Sequence, residues 1–109
     1  MSECTLVSGD IQYLSFYLNE KDPTTGSITP YTLATANSIV FRMRLYGETI
    51  NTISVTMSTI ATPSNTLGYC RVLATIPAVG DYYSEIEVFE STEHITWIGP
   101  LYKVGPALA

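Results

Sequence analysis

Positive charge is scarce in this chain. Lys21, Arg42, Arg44, Arg71 and Lys103 are its only Lys and Arg residues, against ten acids, for a formal charge of −5 over 109 residues. They form no run able to neutralise a line of phosphates, which argues against nucleic acid as a partner. Cysteine is scarce too. Cys4 and Cys70 are too few for a disulfide framework and read as buried, inert thiols. The start, Met1-Ser2-Glu3-Cys4, has neither a basic n-region nor an apolar h-region, and no stretch approaches the ~18 apolar residues of a membrane span. The expectation is a chain with no signal peptide and no membrane association, made and kept in a cytoplasm. There is no Asn-x-Ser/Thr sequon, internal repeat, heptad pattern or low-complexity tract.

Hydrophobic residues make up 46% of the chain and charged residues only 14%. That balance argues against disorder and leaves neutral Thr, Ser, Asn and Tyr to cover much of the outside, a surface suited to packing against other proteins. At this length the chain reads as a single domain, residues 1–109, able to bury about two-thirds of its unfolded surface without cross-links.

Apolar alternation with a period of two predicts strands throughout. The clearest follows the Pro77–Gly80 turn: Tyr82, Ser84, Ile86 and Val88 fall on one face, and Tyr83, Glu85, Glu87 and Phe89 on the other. Residues 4–8 form a short first strand. In residues 12–18, Leu14, Phe16 and Leu18 point inward while Tyr13 and Tyr17 point out. Residues 19–36 read as a long connection turned at Asp22-Pro23-Thr24-Thr25-Gly26 and pinned by Leu33 and Ala36. In residues 38–45, Ile39, Phe41, Met43 and Leu45 oppose Val40, Arg42 and Arg44.

Residues 50–61 form one β-branched strand with Ile53, Val55 and Met57 as its apolar face, followed by a turn at 62–68. Residues 69–76 put Cys70, Val72 and Ala74 inside and Tyr69, Arg71 and Leu73 outside. Residues 90–93 make a hairpin loop, and 94–104 a final strand broken at Gly99-Pro100. About seven strands and no amphipathic helix predict an all-β, antiparallel sandwich.

Gly80-x-Tyr82 resembles the tyrosine corner of immunoglobulin sandwiches, where a tyrosine bonds back to upstream backbone. The likeness is partial: Ala78 stands where an Asp is usual, Ser84 where a Cys is usual, and Trp97 lies too late to be the core tryptophan. If residues 39–45 and 82–89 are neighbours, Arg42 and Arg44 meet Glu85 and Glu87 in cross-strand ion pairs.

Chemistry is sparse. A nucleophilic site would have to join His94, the only histidine, to Cys4 or Cys70. His94 reads instead as a plain hairpin residue. Asp81, Glu85, Glu87, Glu90 and Glu93 lack the tight Asp-rich turn of a calcium loop and read as a solvated acidic face. No spacing suits zinc, and no glycine loop precedes a helix to hold phosphate. The sequence therefore assigns no catalytic residue, metal or cofactor. The outward aromatics Tyr13, Tyr17, Tyr69, Tyr83 and Phe89 admit three roles: anchors of a protein interface, packing under loops, or stacking on sugar rings.

Taken together, Gly9-Asp10, Leu14-x-Phe16-x-Leu18, Leu33-x-x-Ala36, Ile39-x-Phe41-x-Met43-Arg44 and Gly80-x-Tyr82-x-x-Glu85-x-x-Val88 resemble the N-terminal domain family of the phage baseplate upper protein, an immunoglobulin-like module of tailed-phage virions. The resemblance spans residues 8–104. It implies a non-enzymatic virion structural protein, part of a symmetric homo-oligomer, that docks other tail or baseplate proteins. It brings no catalytic residues. Read as a free-standing domain, without the helix, fibre or lectin-like region that many members carry, the chain is expected to suit a capsid decoration or head-fibre base as the alternative location. A module binding host-surface glycans is the alternative function.

Overall fold

Two strands with opposite faces of different polarity occupy the middle of the larger sheet: β5 (Ser38–Leu45) and β9 (Gly80–Phe89). They pair antiparallel along the whole of β5, which sets Ile39 against Val88, Phe41 against Ile86 and Met43 against Ser84 on the inner face. Val40 opposes Glu87, Arg42 opposes Glu85 and Arg44 opposes Tyr83 on the outer one. The computed structural model describes residues 3–59 and 67–107, and almost all of its regular structure is strand.

Around that pair the larger sheet runs β1 (Glu3–Val7), β11 (Leu101–Gly105), β9, β5 and β6 (Ile53–Thr56), with β10 (His94–Ile98) also on β9. β10 and β11 lie end to end along the same side of β9, parted at Gly99-Pro100 as the sequence predicts. Ser84 holds the break: its hydroxyl donates to the Pro100 carbonyl at 2.7 Å, and its carbonyl accepts from the Gly99 amide at 3.0 Å. β1 pairs with β11 in parallel, so the sheet is not wholly antiparallel.

The smaller sheet has the order β2 (Ile11–Tyr17), β8 (Tyr69–Thr75), β7 (Ser58–Thr59). Residues from both sheets share one core. Phe41, Met43, Ile86 and Val88 come from the larger sheet and Leu14, Cys70, Val72 and Ala74 from the smaller, all buried. Phe41 links them: its ring stacks on Phe16 of β2 at 5.6 Å between centroids and meets Tyr102 of β11 edge-on at 6.4 Å.

The structure revises two further expectations. Residues 50–61 are not one strand: β6 belongs to the larger sheet and β7 to the smaller, and the chain crosses between them at buried Met57. Val55, expected on the apolar face, is 36% exposed on β6, the end strand of its sheet. The connection 19–36 contains a two-stranded hairpin of its own, β3 (Asn19–Lys21) with β4 (Ile28–Pro30). Its turn is the expected one, with the Asp22 carboxylate accepting from the Thr24 amide at 2.8 Å. Leu33 is buried and Ala36 packs on the core. The expected turn at 62–68 lies mostly outside the described residues.

Candidate functional site

The outer face of the smaller sheet is built by alternation alone. Each residue of β2 whose neighbours point to the core must point away from it, so Ile11, Tyr13, Ser15 and Tyr17 form one outward row. β8 adds a second row in register: Thr75 beside Ile11, Leu73 beside Tyr13, Arg71 beside Ser15 and Tyr69 beside Tyr17. Ile11, Tyr13, Tyr17 and Leu73 are 68%, 54%, 66% and 56% exposed. The Tyr17 and Tyr69 rings lie 5.1 Å apart, and the Arg71 guanidinium sits 4.4 Å over the Tyr13 ring. Three of the five outward aromatics named from sequence thus share this face. Ile11 was missed there because the expected strand began one residue later.

Tyr83 and Phe89 lie elsewhere, on the outer face of the larger sheet, at opposite ends of β9. Phe89 is half-buried and stacks on the His94 imidazole at 5.7 Å, which makes it a packing residue of the β9–β10 hairpin. Tyr83 is 45% exposed and pairs with Tyr46 at 5.3 Å. Loss of hydration and then the adjacent Tyr46 phenol hold the Tyr83 phenol above its ordinary pKa.

Between these aromatics runs a charged chain. Arg42 Nη1 donates to Glu87 Oε1 at 2.7 Å and lies 3.7 Å from Glu85, while Glu87 Oε2 contacts His94 Nδ1 at 2.6 Å. The expected cross-strand pairing holds for Arg42. Arg44 instead donates from Nε to Asn51 Oδ1 at 3.2 Å and, among the described residues, meets no carboxylate at ion-pair distance. The strand register explains the difference, since Arg42 faces Glu85 directly whereas Arg44 faces Tyr83. The Arg42 hydrogen bond is the main cause that holds the Glu87 carboxyl below its usual range, against an opposing desolvation.

Where β10 gives way to β11, this face opens into a groove of about 400 Å³. Arg42, Arg44, Asn51, Tyr83 and Glu85 supply its polar and aromatic walls, and Ile98, Pro100 and Leu101 its apolar side. Asn51 and Ile98 carried no sequence signal, because the groove is a product of the β10–β11 break.

The corner at the start of β9 is formed. The Tyr82 hydroxyl donates to the Ala78 carbonyl at 2.7 Å, while the Tyr82 ring is 2% exposed. Gly80 packs beneath Leu45, leaving no room for a Cβ unless that side chain moves. Trp97 is half-buried, meets Tyr31 edge-on at 5.0 Å and donates to the Asn19 carbonyl at 2.9 Å, which ties the 19–30 hairpin to β10. Tyr31 in turn donates to Glu90 at 2.6 Å. Burial first, then Glu90, pushes its phenol up to about 12.

Cys70 is fully buried on the core side of β8, where desolvation pushes its thiol up to about 12, and His94 lies on the outer face of the larger sheet. The fold therefore keeps Cys70, on the core side of the smaller sheet, apart from His94. Both cysteines are free thiols. Among the described residues, no three His, Cys, Asp or Glu side chains gather to hold a metal ion. The comparisons with known proteins add no family: no family model matches the chain, and no curated protein does either.

Proposed function

We propose that this chain is a non-enzymatic structural module of a tailed-phage virion, an immunoglobulin-like sandwich that docks to tail or baseplate proteins and to copies of itself. The observation that carries the docking role is the outer face of β2 and β8, where Ile11, Tyr13, Tyr17 and Leu73 lie side by side and more than half exposed. Contiguous apolar and aromatic surface of that kind gains free energy when a partner covers it, and tyrosine does so at low entropic cost. The immunoglobulin-like part is supported by the strand order of the two sheets and by the Tyr82–Ala78 bond. Mass spectrometry of separated heads and tails tests the proposal. The chain is expected with the tails. Recovery with heads favours the capsid-decoration alternative, and absence from virions defeats both.

The groove beside Tyr83 favours a second reading, a site for host-surface glycans, because it sets an exposed ring beside Arg44, Asn51 and Glu85. Glycan-array binding lost on Tyr83→Ala is the result it requires. Silence on the array, with virion assembly retained in that variant, removes it.

A further inference from the structure

β2 is the end strand of its sheet, and no described residue pairs with its other edge. Which of its backbone groups face that edge follows from the bonds at its two ends. The Ile76 amide donates to the Asp10 carbonyl and the Leu18 amide to the Gly68 carbonyl, both in the register of the β2–β8 ladder. Bonded pairs alternate in an antiparallel ladder, so Gln12, Leu14 and Phe16 bond to β8, while the amides and carbonyls of Ile11, Tyr13, Ser15 and Tyr17 point outward.

Edge strands are ordinarily guarded by a charge, a proline, a bulge or brevity. β2 has none of these guards. Over seven residues, Ile-Gln-Tyr-Leu-Ser-Phe-Tyr, it contains no proline, no glycine and no charged group. Among the described strands of five or more residues it alone lacks Asp, Glu, Lys, Arg and His. An uncharged strand can meet its own copy without like charges falling opposite one another.

We propose that β2 pairs antiparallel with β2 of a second copy, making one continuous sheet across a two-fold axis. All seven residues overlap only when Leu14 lies on the axis. Tyr13 then faces Ser15 of the other copy and Ile11 faces Tyr17, and these are the residues whose backbone groups point outward. The same register joins the two outer faces, so the Ile11–Tyr17 row of one copy continues that of the other, with an aliphatic–aromatic pair at each end of the seam. The strand is about 23 Å long, and the area it covers falls short of the ~800 Å² per partner typical of stable complexes. The dimer is accordingly weak and reversible, and it gains occupancy where copies are concentrated. Each copy carries a charge of −5, so added salt strengthens the pairing by screening their repulsion. This takes up the self-association in the assembly reading and is tested apart from it.

Sedimentation of the purified chain from ~10 to ~500 µM, a range suited to a small interface, is expected to show a concentration-dependent dimer. Over the same range, amide exchange at Tyr13 and Ser15 slows while that at Leu14 does not change. Ser15→Pro removes an amide that β8 does not use and is expected to weaken the dimer by about tenfold or more, leaving the thermal melt nearly intact. Ser15→Lys keeps the amide, places a charge beside the axis and is expected to weaken the dimer likewise, so the test holds should the proline variant fail to fold. A chain that stays monomeric throughout, or a dimer indifferent to both substitutions, overturns the proposal. Absence from virions would defeat the assembly reading and leave this result standing.

Discussion

The Tyr82 hydroxyl reaches back four residues to the Ala78 carbonyl at 2.7 Å, so the turn into β9 is tied to the strand's first inward ring. Because that ring is buried, the bond fixes where β9 starts and hence which of its residues face the core. Tyr82→Phe keeps the ring and deletes the bond. It is expected to cost ~0.5–1.5 kcal/mol, read as a lower urea midpoint at unchanged slope.

Glu87 links Arg42 to His94, and its carboxyl titrates below its usual range. A group whose pKa is depressed on folding adds stability above its unfolded value, 4.5 here, and loses it as pH falls through the folded value. Urea unfolding is therefore expected to show stability falling as the medium is acidified below pH 4.5, with a shallower fall in Glu87→Gln. Identical acid slopes for the two proteins would show that the link contributes nothing.

Gly68 precedes β8 with φ at +80°, in the left-handed region, and a Cβ there would strike the backbone carbonyl of Leu18. The atoms it would meet, on Leu18 and Tyr31, are all backbone and cannot swing aside as a side-chain tip would. Gly68→Ala is expected to cost ~1–3 kcal/mol, a fall of roughly 4–8 °C in Tm per kcal/mol for a domain of this size. Gly47→Ala, also at positive φ but with open space around it, is the milder control.

Cys70 is fully buried with its thiol pushed up to about 12, whereas Cys4 is half-buried near an edge of the larger sheet. A small alkylating reagent at neutral pH is expected to label Cys4 in the native protein and Cys70 only on unfolding, since the thiolate is the reactive form. Mass spectrometry of the labelled peptides reads this directly.

Much of the core was legible in the sequence. Residues 38–45 and 80–89 announce their faces by alternation, and the structure buries Ile39, Phe41, Met43, Tyr82, Ile86 and Val88 as read. Period-two patterning is local, so it survives without knowledge of neighbours. The β3–β4 hairpin left no such trace, because both strands are exposed on either side and nothing in Asn19–Lys21 or Ile28–Pro30 has to alternate. The split of residues 53–59 was equally silent: β-branched residues favour strand but do not say which sheet.

The candidate surfaces divide the same way. That Tyr13, Tyr17 and Tyr69 point outward follows from the sequence, since their neighbours Leu14, Phe16 and Cys70 must point in. That they share one face, with Arg71 over Tyr13, follows from the β2–β8 register, which no local pattern specifies. The sequence determined which side chains each strand turns inward and outward, because alternation is a property of a single strand. Which outward side chains meet, where the groove opens at Gly99-Pro100, and that β2 is left at an edge were decided by pairing between segments far apart in the chain. Only the tertiary structure holds that information.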